Sequence, residues 1–312
     1  MPTTLAHTYS IVAYDPQHKQ FGVAVQSHWF CVGALVPWAQ PGIGAVATQS
    51  FVEVSYGPLG LRLMRAGKTA QQALQGLLAS DPDAAVRQVA MVDAQGNVAA
   101  HTGERCIAEA GHRLGANYSV QANLMLKDTV WDAMAVAYES SAGDLAARML
   151  TALEAAQAEG GDMRGQQSAA LLVVSAELDP APWSGRVFDL RVEDHTQPLE
   201  EMHRLLAVSR AYQHAQTASQ LLEDKSLDEA KIAEAEREFQ LGAHSPEMGG
   251  NPELLFWHAV DLVTAERVDD ALPLFKQVFD LDPIWRQLVP PLVPAELLPD
   301  DPALIERIVQ AA

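Results

Sequence analysis

The chain has 312 residues, 48% of them hydrophobic, which is enough for two domains with apolar cores. Its formal net charge of −19 predicts no binding to nucleic acid or to anionic membranes. No apolar run could span a bilayer and no signal peptide is recognisable, so we expect a cytoplasmic protein. There is no glycine-rich phosphate loop, dinucleotide fingerprint or standard metal-ligand spacing, so we expect no cofactor and no metal.

The first predicted elements form a β-hairpin. Residues 10–14 and 21–25 are apolar and rich in β-branched side chains, and a polar turn containing Asp15 and Pro16 separates them. A hydroxyl residue, Thr8 or Ser10, opens the first strand. The hairpin therefore begins with a side chain that could act as a nucleophile.

Strands and helices alternate in groups over the rest of the first two hundred residues. Helical periodicity and capping signals predict helices over residues 58–65, 69–80, 130–138 and 144–159. Alternating or continuous apolar runs predict strands over residues 42–48, 87–93, 97–102, 118–125, 168–175 and 187–192. Helices that come in pairs argue against a doubly wound parallel sheet. They favour an α+β fold, with antiparallel sheets between helical layers.

From about residue 199 the pattern is helical throughout. Small residues at Ala259 and Ala271, bulky ones at Phe275 and Phe279, and a closing Pro283 make residues 254–283 similar to a tetratricopeptide repeat. Such repeats bury their faces by stacking on one another. This chain has one clear repeat and a degenerate one before it, which is a small number for such stacking. We therefore predict a first domain over residues 1–198 and a small TPR-like domain over residues 199–312 that docks on the first domain or on a protein partner.

Eight stretches of the first domain together resemble the DUF1028 family, which is assigned to the Ntn-hydrolase superfamily. They are residues 10–16, 21–27, 33–39, 42–50, 56–61, 92–103, 121–124 and 160–174. The resemblance implies a four-layer αββα sandwich. The family has no well-defined substrate, so the resemblance implies a fold more firmly than a function.

The superfamily implies a specific chemistry for Thr8. In Ntn hydrolases the first residue of the mature chain is the nucleophile, and its free α-amine, which titrates near neutral pH, is the base. Many family members begin Met-Thr-Phe-Ser-Ile, so that removal of the methionine would expose a threonine that aligns with Thr8. Here seven residues precede Thr8, so this chemistry would need cleavage after His7. Alternatively Thr8 or Ser10 acts without a free amine, or the site is not catalytic. The lysine that assists the nucleophile in proteasome-like enzymes has no counterpart in residues 26–47.

Two strand ends should meet near that hydroxyl. Thr48 and Gln49 end the glycine-rich strand, and superfamily relatives place the backbone that holds the oxyanion there, so Thr48 marks this region. Ser27 and His28 end the second hairpin strand. His28 could be a general base, although a lone histidine in an apolar context is more often structural.

Further polar residues could orient a substrate. Asp162 and Arg164 lie in a polar loop before a buried strand, and a guanidinium can bind a carboxylate through two hydrogen bonds. A pair that only fixes the loop explains them equally well. Gln121 and Asn123 alternate along one strand, so they share a face and suit hydrogen bonding to an amide.

Two functions remain open from the sequence. The leading prediction is hydrolysis of an amide C–N bond in a small molecule or short peptide, with Thr8 or Ser10 as nucleophile. The alternative is a non-catalytic binding or assembly protein that holds a protein partner through its C-terminal helices. A homodimer is compatible with either function.

Overall fold

The computed structural model describes residues 5–178, 181, 183–224, 226–248 and 250–311. The chain divides into two compact units, residues 1–203 and 204–312. This boundary lies within a long helix, whereas the sequence places the boundary at the start of that helix.

The first unit contains two antiparallel sheets, so its fold is α+β as predicted. In one sheet the order is β1-β5-β6-β7, and β4 also pairs with β5. Its strands are β1 (Leu5–Ala6), β4 (Pro37–Gln40), β5 (Gly44–Phe51), β6 (Arg87–Asp93) and β7 (Val98–Thr102). In the other sheet the order is β11-β10-β3-β2-β9-β8. Its strands are β2 (Thr8–Asp15), β3 (Gln20–Ser27), β8 (Gly111–Gly115), β9 (Tyr118–Ala122), β10 (Ser168–Ser175) and β11 (Arg186–Val192).

Each sheet is covered by a pair of helices. Helices α1 (Tyr56–Arg65) and α2 (Ala70–Ser80) pack on the sheet that contains β5 and β6. Helices α3 (Val130–Ser140) and α4 (Leu145–Glu159) pack on the sheet that contains β2 and β3. The inner faces of the two sheets contact each other through β2, β3, β5 and β6, so successive residues of these central strands point alternately toward the opposite sheet and toward a helix pair.

Local capping explains where two of these helices begin and end. Thr69 and Gln72 form a capping box at the start of α2. The Asp144 carboxylate accepts from the backbone N–H of Ala147 at the start of α4, which confirms the predicted N-cap. Gly160 ends α4 with φ of 132°, a conformation that favours glycine.

The inner layer between the sheets is apolar at one end. Val12, Val23 and Val25 from one sheet pack against Ala47 and Val92 from the other, and all five are completely buried. These positions alternate along their strands with residues that face the helices, as a strand repeat of two requires. The other end of the same layer is polar and is described below.

The second unit is helical. Its elements are α5 (Pro198–Leu222), which begins in the first unit, α6 (Glu229–Ala243), α7 (Glu253–Thr264), α8 (Val268–Leu281) and α9 (Pro302–Val309). Ala259, Ala271, Phe275 and Phe279 are all buried in its core, together with Phe256. The small residues let α7 and α8 approach while the phenylalanines supply buried apolar area.

The structure adds three strands that the sequence pattern missed: β1, β4 and β8. Strand β4 has four residues and begins with a proline, a residue that is depleted in strands. Strand β1 has two residues, which is too short for any periodicity to show. Strand β8 is an edge strand whose residues include two glycines and an arginine, a composition that predicts a loop. The hairpin strands β2 and β3 are also longer than predicted, because their polar ends pair as fully as their apolar centres.

Among the residues that the structure describes, no helix is both long and apolar enough to cross a membrane.

Candidate functional site

Strand alternation gathers the predicted polar residues at one end of the inner layer. Thr8 and Ser10 on β2, Ser27 on β3, Gln49 on β5 and Gln121 on β9 are all completely buried. The two sheets meet here through hydrogen bonds instead of apolar contacts. We call this group, together with Asn123, Gln88 and Ser119, the polar cluster.

The hydroxyl of Thr8 is already engaged. It donates to the carbonyl of Ala6 at 2.7 Å, and it lies 3.2 Å from the hydroxyl oxygen of Ser27. Ser27 in turn donates to the carbonyl of His7. With residues 5–7 in place, Thr8 therefore has neither a free hydroxyl nor contact with solvent.

Two donors hold the carbonyl of the peptide bond that joins His7 to Thr8. One is the Ser27 hydroxyl and the other is Nη2 of Arg164, at 3.0 Å. Arg164 is itself fixed by Asp162 through a bidentate pair, Nη2 to Oδ2 at 2.7 Å and Nε to Oδ1 at 3.0 Å. The carboxylate of Asp162 also accepts from the backbone N–H of His28. Two of the predicted residues, Ser27 and Arg164, thus bond to the carbonyl that precedes Thr8, and the predicted Asp162 holds Arg164 in place.

Side-chain amides connect the rest of the cluster. Ser10 donates to Oε1 of Gln49 at 2.6 Å and accepts from Nε2 of Gln121 at 2.6 Å. Nε2 of Gln49 and Nδ2 of Asn123 both donate to Oε1 of Gln88, at 2.7 Å and 2.9 Å. Nε2 of Gln88 then donates to Thr102 and to the Ala122 carbonyl. Such a network is costly to leave half-made, so its completeness holds the two sheets in one register.

The imidazole of His7 closes the cluster on the side of the N-terminal segment. Its Nδ1 lies 2.9 Å from Oδ1 of Asn123. Burial lowers the pKa of His7 from its ordinary value, although the hydrogen bond to Asn123 opposes that change. A neutral imidazole is the form that suits this water-poor position.

Two predicted residues lie outside the cluster. Thr48 follows the same alternation as its neighbour Gln49, so its side chain points to the opposite face of β5 and donates to the Glu53 carbonyl at 3.1 Å. The backbone N–H of Thr48 donates to the Val36 carbonyl, which leaves it no bond to offer an oxyanion. The side chain of His28 lines a shallow hollow of about 460 Å³ beside Asp194 and His195.

Three residues of the site escaped the sequence analysis: Gln88 and Ser119 of the polar cluster, and His7 beside it. Gln88 lies two positions before Ala90 and four before Val92 on β6, so the alternation of that strand could have placed it inward. Ser119 shares a face with Gln121, to which it donates at 2.9 Å, and the same rule applies. His7 precedes the predicted strand, and no sequence pattern marks it.

The arrangement offers a held carbonyl and a hydroxyl beside it. A hydroxyl and a guanidinium that already point at one carbonyl oxygen could also stabilise negative charge on it. In the described ranges, no group of three or more histidine, cysteine, aspartate or glutamate side chains is placed to hold a metal ion.

Comparison with known proteins identifies the family to which the first unit is similar. No curated protein matches the chain. A model of the family of unknown function DUF1028 matches residues 8–202. Among solved structures, the crystal structure of protein SPO2555 from Silicibacter pomeroyi, assigned to DUF1028, is 30% identical with a TM-score of 0.59. The match covers 68% of this chain and 87% of that one. The family model spans more than half of the chain, so the protein belongs to the DUF1028 family of unknown function.

Proposed function

We propose that the protein is an Ntn-type hydrolase that cleaves an amide C–N bond in a small molecule or short peptide, once residues 1–7 are removed. Thr8 would supply the attacking hydroxyl, and its newly freed α-amine would take the proton. The observation that carries the proposal is the carbonyl of His7, held by Ser27 and Arg164 at the peptide bond before Thr8.

The held carbonyl suggests where a substrate would bind. Residues 6 and 7 occupy the position that the acyl half of an amide substrate would take beside the Thr8 hydroxyl. Their removal would free four groups: the Thr8 hydroxyl from the Ala6 carbonyl, Ser27 and Arg164 from the His7 carbonyl, and Asn123 from the His7 ring. The donors released from His7 would then face the carbonyl of a substrate.

The chemistry follows from these groups. The Thr8 oxygen would bond to the carbonyl carbon while its proton passes to the α-amine, and the negative charge on the carbonyl oxygen would be stabilised by Ser27 and Arg164. Collapse would break the C–N bond, and the leaving amine would take the proton from the α-amine. Water would then hydrolyse the ester on Thr8 and release the acid.

The rest of the cluster would keep Thr8 in position. Nε2 of Gln49 donates to the Thr8 carbonyl at 3.2 Å, and the backbone N–H of Asn123 donates to the same oxygen at 3.1 Å. Ser10 is bonded to both Gln49 and Gln121. Its hydroxyl therefore serves this support better than it would serve as a second nucleophile.

The layer order supports the finer classification of the fold. Helix pairs outside two facing antiparallel sheets are what an αββα Ntn sandwich requires. In the second unit, the contact between the consecutive helices α7 and α8, with Ala259 and Ala271 buried in their shared core, supports a TPR-like repeat.

The second candidate function is a non-catalytic binding or assembly protein. The observation that favours it is the complete burial of Thr8, whose hydroxyl and neighbours all have partners within the chain. The helical unit also has a groove of about 690 Å³ between α6 and α8, with Glu229, Glu236 and Asp269 in its lining, where a basic protein segment could bind.

The test compares the full chain with one released from a cleavable fusion so that it starts at Thr8. Both are screened against chromogenic amides and N-acyl compounds, and their fold is checked by circular dichroism. We expect hydrolysis only by the chain that starts at Thr8. In that background Thr8→Ala should abolish turnover, Thr8→Ser should retain part of it, and Thr151→Ala on α4 should leave it unchanged.

A folded chain that starts at Thr8 and hydrolyses none of the amides would overturn the free-amine mechanism and leave the binding function ahead. Equal turnover by the full chain would also contradict it. The intact mass of the purified protein adds a direct check, because loss of residues 1–7 is visible without any substrate.

A further inference from the structure

A cavity lies at the end of the first unit opposite the polar cluster. Thr8 pairs with Ser27 near one end of β3, whereas Val174 of β10 pairs with Phe21 near the other end, and Val174 forms part of this cavity. The cavity has a volume of about 480 Å³, which suits a small organic ligand. It opens between β4, α1, β10 and β11, and none of its lining residues belongs to the polar cluster.

Three arginines line this cavity in a chain of net charge −19. Arg62 and Arg65 lie in the last turn of α1, and in the described ranges neither guanidinium has a hydrogen bond or an ion pair. Arg186 pairs with Asp189 at 2.7 Å, and Asp189 also contacts Arg191. Basic residues stabilise the last turn of a helix, but that does not account for Arg186 on β11 at the same cavity.

Two tryptophans complete the lining. Trp38 is fixed, because its indole N–H donates to the Leu35 carbonyl at 2.9 Å and its ring lies against Gly57. A Cβ on Gly57 would come within 2.3 Å of that ring, so the glycine makes room for it. Trp183, by contrast, is 76% exposed. A large aromatic side chain left in water at the edge of an arginine-lined cavity is available to stack on a ligand.

We propose that this cavity binds a small molecule in which a planar aromatic ring carries a phosphate group, as in a mononucleotide. The ring would stack on Trp183 with Trp38 as a fixed wall, and the phosphate would bind the guanidinium groups of Arg62 and Arg65. A dianionic phosphate matches the charge of these two unpaired arginines, since Arg186 already has Asp189. The acidic surface elsewhere disfavours a polynucleotide, so the ligand is a single small unit.

The test is calorimetric titration of the full-length protein at low salt with adenosine monophosphate, phenyl phosphate, adenosine and inorganic phosphate. We expect the two aromatic phosphates to bind, and adenosine and inorganic phosphate each to bind at least about tenfold more weakly than adenosine monophosphate. The double variant R62Q/R65Q and the variant Trp183→Ala should each weaken the binding of adenosine monophosphate by about tenfold or more.

Arg105→Gln is the matched control, because Arg105 is an exposed arginine of the same unit outside the cavity, and it should leave binding unchanged. All substituted residues are exposed, so folding is not at stake. Inorganic phosphate binding as tightly as adenosine monophosphate would overturn the role of the tryptophans. Adenosine binding as tightly would overturn the role of the arginines. Unchanged binding in both variants, or no binding at all, would overturn the site.

Discussion

Gln88 and Arg62 belong to the same unit of the protein, yet their side chains have opposite surroundings. The buried amide of Gln88 has five hydrogen-bond partners, from Gln49, Asn123, Thr102 and two backbone carbonyls. The exposed guanidinium of Arg62 has none among the described residues. The side chains of the polar cluster therefore bond to one another, whereas the arginine-lined cavity has two guanidinium groups, those of Arg62 and Arg65, that pair with no group among the described residues.

This difference separates two roles for polar residues. A buried network whose atoms all have partners contributes to the specificity and stability of the fold, and a substrate could enter it only by replacing one of those partners. Exposed groups without partners contribute little to stability and are free for a ligand. The N-terminal residues 6 and 7 are the replaceable partners in the polar cluster, which is why their removal decides the proposed activity.

The largest effect on stability should come from Gln88→Leu. The substitution removes all five hydrogen bonds and takes from the buried amides of Gln49 and Asn123 their shortest acceptor, which leaves only the longer bonds to the Thr8 and Gln121 carbonyls. We therefore expect a loss of about 3 kcal/mol in the free energy of unfolding. Urea denaturation measures it. Gln17→Leu in the exposed hairpin turn is the control, and we expect a change within about 0.5 kcal/mol there. A loss below about 1 kcal/mol at Gln88 would show that the network is not structural.

Asp162→Asn should have the next largest effect. The carboxylate is buried while Arg164 is 28% exposed, so the lost pair leaves a partly hydrated charge, and we expect a loss of about 2 kcal/mol. Asp189→Asn removes ion pairs with two exposed arginines, Arg186 at the arginine-lined cavity and Arg191, and should cost no more than about 0.5 kcal/mol. Equal losses in the two variants would contradict the contrast between the buried and the exposed pair.

The acid sensitivity of the polar cluster should depend on His7. Burial lowers the pKa of His7 in the folded chain below its ordinary value of 6.5, so the unfolded chain binds the proton first as the pH falls. Its contribution to stability is complete above pH 6.5 and is lost as the pH drops toward the folded pKa.

The measurement is the free energy of unfolding between about pH 7 and about pH 5 for the native chain and for His7→Gln. In the variant the slope should be shallower by up to ~1.4 kcal/mol per pH unit, the value for one proton. An identical slope would mean that His7 takes up its proton equally in both states.

The smallest effect should come from Arg62→Gln. Its guanidinium has no partner among the described residues, so we expect the free energy of unfolding to change by no more than about 0.5 kcal/mol in urea denaturation. Arg87→Gln is the comparison, because Arg87 is buried and bonds both Asp81 and the Phe51 carbonyl. Its loss should cost about 2 kcal/mol. A large loss at Arg62 would mean that this arginine serves the fold instead of a ligand.

Strand and helix positions in the first unit were largely predictable from the sequence. Strand β10 has the predicted bounds because its continuous apolar run is buried on both faces. Helix α2 begins after the predicted Thr69 because the capping box determines its first turn. The two-residue β1, the short strand β4 and the edge strand β8 were missed, because pairing with a neighbour forms them and local composition does not.

The polar cluster was predictable only in part. Gln49, Gln121 and Asn123 follow from strand alternation, and the same rule applied strictly excludes Thr48, since consecutive residues of a strand face opposite sides. The two hydrogen bonds that Ser27 and Arg164 donate to the His7 carbonyl join distant parts of the chain, and no local sequence pattern shows that these residues meet. The arginine-lined cavity is formed by residues from four separate elements, so the sequence does not show that its arginines lie together.

Strand β1 has one further consequence. It pairs with Ser50 and Phe51 of β5, on the same side of β5 that β4 covers farther along. A chain that starts at Thr8 would lack this short strand, and the backbone of Ser50 and Phe51 would form an unpaired edge next to the Thr8 hydroxyl. An unpaired edge recognises an extended main chain through its own N–H and C=O groups, whatever the side chains are. Among amide substrates, peptides in extended conformation would then be preferred over compact acyl groups.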